Sequence, residues 1–200
     1  MKDISVLILA GGKSSRMGQD KALLKVYGQP LLLNIYQTAK QISNQVFIVT
    51  SFPNKYQPIL PKNAQFIVEP SPPQGPLIAF SYALSFVETE WTLLLACDLI
   101  YLKTEDIKSW LNYLDSISDS LNDKIALLSP HKKGWECLCG FYHNRCYHSL
   151  SNSINKGNTS FQGWLKGENI EPLLVENTKV FFNCNRPEDL PSHNISSSSS

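Results

Sequence analysis

Two hundred residues, 42% of them apolar, suffice for one globular domain with a substantial core. Eighteen basic against seventeen acidic side chains leave a net charge of +1, which argues against an extended basic surface and hence against nucleic acid as a partner. No apolar stretch reaches the roughly 18 residues of a spanning helix, so no membrane partner is expected.

The apolar run Val6–Leu9 reads as a parallel strand buried on both faces. It breaks into Gly11-Gly12, followed by Lys13, Ser14, Ser15, Arg16, Gly18, Asp20 and Lys21. Glycines let backbone N–H groups approach a ligand closely and ring a phosphate. Arg16 and Lys21 add full charges, while Lys13, Ser14 and Ser15 contribute through their backbone N–H groups. The segment therefore reads as an anion-cradling loop at the carboxyl end of a strand, where open α/β sheets bind ligands. Neither the Walker spacing nor G-x-G-x-x-G fits it. Because the chain enters this strand at once, no signal peptide is expected, and the protein is read as cytoplasmic with its cysteines reduced.

Pro30 and the spacing of Leu31, Leu32, Ile35, Tyr36, Ala39 and Ile42 predict a helix with Pro in its first turn. Val46–Val49 predicts a second buried strand, followed by a loop or short irregular helix reaching Pro61, and Phe66–Val68 predicts a third strand. After the proline-rich segment 70–75, an apolar helix is expected from Pro76 to Ser85, then a wholly apolar strand Trp91–Ala96 ending in Cys97-Asp98. Ile107, Leu111, Leu114 and Ile117 predict a helix from Thr104, its expected cap, to Leu121. Strands are expected at Ile125–Leu128 and Cys137–Tyr142, with His131-Lys132-Lys133-Gly134 between them. A helix from Arg145 to Lys156 stops at Gly157-Asn158, and Ser160 caps a short helix to Leu165. Leu173–Val175 and Val180–Phe182 read as short strands or edges, Pro187–Leu190 as a terminal helical turn, and the serine-rich segment 191–200 as a disordered tail. Strands alternate with helices over the first two thirds of the chain. That pattern predicts a single α/β domain over residues 1–190, a Rossmann-like three-layer sandwich around a mainly parallel sheet.

The five cysteines, Cys97, Cys137, Cys139, Cys146 and Cys184, have no zinc-site spacing. Cys137 and Cys139, two apart on a strand, are expected to share one face as small buried hydrophobes. Asp98 stands at the same sheet edge as the glycine loop. A carboxylate there suits Mg²⁺, which takes one or two carboxylates plus phosphate oxygens. Gly75-Pro76-Leu77 opens a helix whose free N–H groups face that edge. With no Ser-His pair and no activated cysteine in view, a covalent intermediate is not indicated.

The stretch Leu9-Ala10-Gly11-Gly12-Lys13-Ser14-Ser15-Arg16-Met17-Gly18-Gln19-Asp20-Lys21 resembles the nucleotidyltransferase signature L-A-G-G-x-S-x-R-M-G-x-D-K. Within that superfamily the chain is most similar to the molybdenum cofactor guanylyltransferases. The resemblance spans Ile4 to Leu190. It implies that Lys21 contacts the nucleotide, that Leu9, Ala10, Gly11 and Gly12 meet its base and ribose, that Asp98 binds the metal and that Gly75 lines the site. Two positions depart from the family pattern. Thr50 stands where an asparagine usually follows the second strand, and Glu69-Pro70 where an aspartate usually ends the third. Thr50 and Glu69 are carried over as substrate-binding residues with those contacts in doubt. The segment from Leu99 to Leu102 also lacks the usual proline after the aspartate. Near the carboxyl terminus, Phe182-Asn183-Cys184-Asn185-Arg186-Pro187-Glu188-Asp189-Leu190 resembles F-x-N-x-N-x-P-E-D-L; Asn183 and Asn185 either place the metal or acceptor, or cap the last helix.

The resemblance implies Arg16, Lys21 and Asp98 as the catalytic set, Mg²⁺ as cofactor, GTP as donor and the terminal phosphate of the molybdenum–molybdopterin cofactor as acceptor. Transient contacts with proteins that deliver or accept that cofactor are a further expectation. Trp135, Lys132, Lys133 and Arg145 are candidates for the acceptor side, each with an ordinary surface or core alternative. Two rival readings stay open. One is another nucleotidyltransferase, using CTP or a sugar phosphate; CTP users tend to carry L-A-A-G, whereas Ala10-Gly11-Gly12 leaves space beside a purine. The other is a non-catalytic nucleotide- or cofactor-binding module.

Overall fold

The computed structural model describes residues 3–11, 20–26 and 28–184. In chain order its elements are β1 (Ile4–Leu9), β2 (Lys25–Val26), β3 (Gln29–Pro30), α1 (Leu31–Lys40), β4 (Gln45–Thr50), α2 (Pro53–Tyr56), β5 (Gln65–Val68), α3 (Pro76–Leu84), β6 (Trp91–Ala96), α4 (Thr104–Ser116), β7 (Ala126–His131), β8 (Gly134–His143), α5 (Cys146–Asn155), α6 (Phe161–Leu165) and β9 (Ile170–Pro172). Seven strands form one sheet in the order β5-β4-β1-β6-β8-β7-β9. β5, β4, β1 and β6 are mutually parallel, β7 and β9 pair in parallel, and β8 runs antiparallel to both of its neighbours.

β1 lies between β4 and β6, so neither of its faces meets water. Ile4, Val6 and Ile8 point into a core layer under α1 and α4; Leu7 points into the opposite layer under α3, α5 and α6. A strand covered on both sides needs apolar residues at every step rather than every second one, hence the unbroken run. The helices bury the stripes their spacing announces: Leu32, Ile35, Tyr36 and Ala39 of α1, and Ile107, Trp110, Leu111 and Leu114 of α4. The architecture is thus the expected single-domain three-layer sandwich with a mainly parallel sheet.

Several local expectations are corrected. Lys103, not Thr104, is the N-cap of α4, and its N–H donates to the Asp106 carboxylate at 2.9 Å; Thr104 is the first helical residue and reaches Gln41 instead. That helix closes at Ser116, and a separate 3-10 turn covers Ser118–Ser120. α5 begins at Cys146, with Arg145 as its N-cap. Pro30 caps α1 from outside, because it pairs with Lys25 in the two-stranded β2–β3 hairpin that turns at Gly28 (φ +79°). The last strand among the described residues is Ile170–Pro172, just ahead of the short strand or edge expected at Leu173–Val175, and Thr178–Phe181 is a 3-10 turn where a short strand or edge over Val180–Phe182 was expected. The expected helical turn over Pro187–Leu190 and the serine-rich segment lie outside the described residues.

Cys137 and Cys139 do not share a face. β8 pairs with β7 at Leu128↔Gly140 and again at Pro130↔Trp135, so the register slips between the two points. Across this irregularity Cys137 joins the α3-side core and Cys139 the α1-side core. The Tyr142 hydroxyl fixes the offset by donating to the Cys137 carbonyl at 2.8 Å. Beyond it the β7–β8 turn, Lys132-Lys133, is clamped by Gln162 of α6. That amide accepts from the Trp135 N–H at 3.2 Å and donates to its carbonyl at 2.7 Å. Gly134 (φ +128°) packs so closely beneath the amide that a Cβ there would stand 2.0 Å from its oxygen.

The α3-side core centres on Phe80, fully buried and in ring contact with Tyr142 at 4.7 Å, Phe161 at 5.6 Å and Trp164 at 6.4 Å. Phe80→Ala is expected to cost about 3–5 kcal/mol of stability, read as a lower denaturant midpoint at unchanged slope.

Candidate active site

β4, β1 and β6 are adjacent and parallel, so the segments that leave their carboxyl ends meet along one rim. Ala10 extends the ladder one step past β1, its N–H donating to the Val49 carbonyl at 3.0 Å. Gly11 follows at φ +128° and is exposed. Thr50 is wholly buried; its hydroxyl accepts from the Phe52 N–H at 3.1 Å and lies 3.4 Å from where a Cβ on Gly11 would stand. Thr50 thus backs Gly11 from below rather than standing open at the surface. One strand further out, the Glu69 N–H donates to the Thr50 carbonyl at 3.2 Å. Burial pushes the Glu69 carboxyl above its ordinary range, and contact with Ser51 offsets part of the rise.

On the other side of β1, Asp98 sits in the turn after β6. Its carboxylate accepts from the Lys21 ammonium at 3.1 Å, with the side chains 13% and 25% exposed. Lys21 opens a 3-10 turn, Lys21–Leu23, capped by Asp20, whose Oδ1 accepts from the Ala22 N–H at 3.0 Å. The carboxyl-terminal strand-like segment comes to the same place. Leu99 and Asn183 form an antiparallel bridge, and the Cys184 N–H donates to the Asp98 carbonyl at 3.2 Å. Lys21, Asp98 and Asn183 are therefore gathered at one rim, with Leu9, Ala10, Gly11, Thr50 and Glu69 alongside. Gly75 (φ +104°) starts α3 after the loop leaving β5 at that rim, its carbonyl accepting the first helical bond from Ala79. The predicted Gly12, Arg16 and Asn185, with the backbone cradle of residues 13–15, lie outside the described residues.

Arg145 is not on this rim. It binds the carbonyls of Leu121 and Asn122 and the His143 ring, beside Trp91 at the start of β6. Six residues of strand, about 20 Å, separate that end from Asp98, so Arg145 is removed from the acceptor candidates. The Lys132-Lys133 turn and Trp135 do stand at the carboxyl rim, because β8 starts where β6 ends. The residues that sequence reasoning missed are Tyr56 and Lys55 of α2, which both reach Asp20. A four-residue helix carries too little periodicity to announce them.

Cys97 precedes Asp98, and burial, reinforced by the charges of Asp98 and Asp20, pushes its thiol well above the ordinary range. It stays protonated and is no nucleophile. Among the described residues no group of three or more His, Cys, Asp or Glu could hold a metal ion unaided. A single hard carboxylate at this rim nevertheless fits Mg²⁺, which takes one or two carboxylates and draws its remaining ligands from substrate phosphates and water.

Residues 6–170 match the family described as the MobA-like NTP transferase domain. A protein of Trichormus variabilis named "Probable molybdenum cofactor guanylyltransferase" is 45% identical over 190 residues, covering 95% of this chain and 90% of its own. A protein of the same name from Synechococcus elongatus is 37% identical over 189 residues, covering 94% and 96%. The crystal structure of molybdopterin-guanine dinucleotide biosynthesis protein A from Archaeoglobus fulgidus superposes with a TM-score of 0.74 at 21% identity, covering 92% of this chain and 94% of that one. The likeness to that structure is one of fold. Nucleotidyltransferases of this kind use a divalent metal ion.

The raised Glu69 pKa has a sign that can be measured. Below the unfolded value, near pH 4, the carboxyl is neutral in both states and Glu69→Gln changes little. As pH rises, the unfolded state ionises first and the wild type loses stability relative to the variant until the higher folded pKa is passed. The Tm advantage of Glu69→Gln should grow from pH 4 to pH 7; a pH-independent difference would show that the carboxyl is not shifted.

Proposed function

We propose that this chain, which belongs to the MobA-like NTP transferase family, transfers GMP from GTP to the terminal phosphate of the molybdenum–molybdopterin cofactor. The products are the guanine dinucleotide form of that cofactor and diphosphate. The observation that carries the reading is the Lys21–Asp98 pair beside Ala10-Gly11 at the carboxyl rim. A cation suited to phosphate and a carboxylate suited to a metal ion stand 3.1 Å apart, beside a glycine backbone free of side chain.

An oxygen of the acceptor phosphate attacks the α-phosphorus, a new P–O bond forms, and the bond to the β-phosphate oxygen breaks in line. The acceptor monoester is already nucleophilic, so no protein base or covalent intermediate is required, and catalysis comes from orientation and charge stabilisation. Mg²⁺, when bound, offsets charge on the triphosphate and on the leaving diphosphate. Asp98 would hold that ion, with Asn183 brought near by its bridge to Leu99. Lys21 exchanges its carboxylate for phosphate oxygens. Arg16 and the backbone of Gly12 complete the phosphate contacts. Gly11, carrying no side chain and backed by Thr50, leaves its surface open to a purine, and Glu69 and Gly75 flank it from the β5 side. We place the activity in the cytoplasm, in accord with five free thiols and with described helices too short and polar to cross a membrane.

Purified protein given GTP, Mg²⁺ and molybdenum cofactor should release pyrophosphate, with GTP outcompeting CTP and ATP. Asp98→Asn should lower turnover by at least about a hundredfold. A variant that loses only metal-linked GTP affinity identifies a binding module, and a preference for CTP identifies a different nucleotidyltransferase.

A further inference from the structure

Lys21 is only as well aimed as the turn that carries it, and that turn is fastened from the far side of β1. Asp20, its N-cap, spends Oδ1 on the Ala22 N–H. Its Oδ2 accepts from the Tyr56 hydroxyl at 2.6 Å and lies 2.6 Å from the Lys55 ammonium. Both partners belong to α2, which follows β4. Charges therefore alternate along the rim across three adjacent strands: Lys55, Asp20, Lys21, Asp98.

The two partners of Asp20 differ in what they can fix. Lys55 is 46% exposed, and an ion pair so open to solvent is screened and entropically loose. Tyr56 is wholly buried, and a phenol donating to a carboxylate there forms a short, directional bond. The same hydroxyl stands 4.0 Å from the position of a Cβ on Gly11, so one atom borders both the glycine wall and the cationic turn. Burial and the Asp20 charge raise the phenol's pKa, which keeps it a donor at every working pH.

We infer that Tyr56 is a positioning residue for nucleotide binding: its hydroxyl locks Asp20, and through the Lys21–Leu23 turn it sets the direction in which the Lys21 ammonium meets the phosphates of a nucleoside triphosphate. The inference rests on the proposed function and extends it to a residue that touches no substrate.

Because Tyr56 acts through Lys21, its effect must depend on Lys21 being present. Y56F keeps the buried ring and removes only the donor. Affinity for GTP with Mg²⁺ is measured by competition with a fluorescent GTP analogue, which reads into the millimolar range, for the wild type, Y56F, K21M and the double variant; melting temperatures are recorded alongside. The fold-loss caused by Y56F in the wild-type background should be at least three times its fold-loss in the K21M background, while the melting-temperature change is the same in both. A smaller ratio overturns the inference, since a residue that merely holds the fold together weakens binding equally in both backgrounds. A wild-type chain that binds no GTP overturns the proposed function itself, and the inference with it. A chain that binds GTP but shows no such dependence overturns only the inference.

Discussion

The Lys21–Asp98 ion pair joins two segments 77 residues apart and is the contact around which the rim is organised. On the proposed function each group stands in for the other's ligand: the ammonium for a divalent cation, and the carboxylate for a phosphate oxygen. Partly buried charges without partners are costly. Before nucleotide arrives, the pair satisfies both, so the site need not relax into a collapsed or repelled arrangement. The proposed metal–triphosphate would replace that one attraction by two of the same kind.

The scaffold behind the pair was legible because its physics is local. A strand covered on both faces is apolar at nearly every step: Val6–Leu9 and Val46–Val49 throughout, and Trp91–Ala96 at all but the buried Thr92. The dense Gly11-to-Lys21 motif and Asp98 could be placed at one edge because parallel strands bring their carboxyl ends together. What escaped depended on contacts that no window of sequence contains. Thr104 looks like a helix cap, yet the cap is Lys103, because the Asp106 carboxylate turns back to its N–H. The cysteines two apart diverge because β8 slips register against β7. Arg145 carries the right charge for a phosphate, but antiparallel β8 delivers it to the wrong end of the sheet. Tyr56 has no local signature, and only the packing of α2 brings it to Asp20.

The two ends of the sheet divide the work. At the carboxyl rim the charges of Lys55, Asp20, Lys21 and Asp98 alternate. At the opposite rim the His143 ring lies between Glu90, at 3.0 Å, and the Arg145 guanidinium, and packs edge-on against Trp91 at 5.0 Å. Burial lowers the His143 pKa, so the ring is kept neutral as part of a strand-end clasp. On the proposed function one rim exchanges its partners, while the other keeps them.

The glutamine clamp on the β7–β8 turn carries a lesson about heredity. Its side-chain amide stands in for an edge strand, and it can do so only while position 134 is bare of a side chain. Any descendant that acquires a methyl group at 134 must swing the Gln162 amide aside and open the clamp, and it strains a backbone held at φ +128°. The constraint runs one way across 28 positions: a bare 134 permits the glutamine, whereas a substituted 134 forbids its grip.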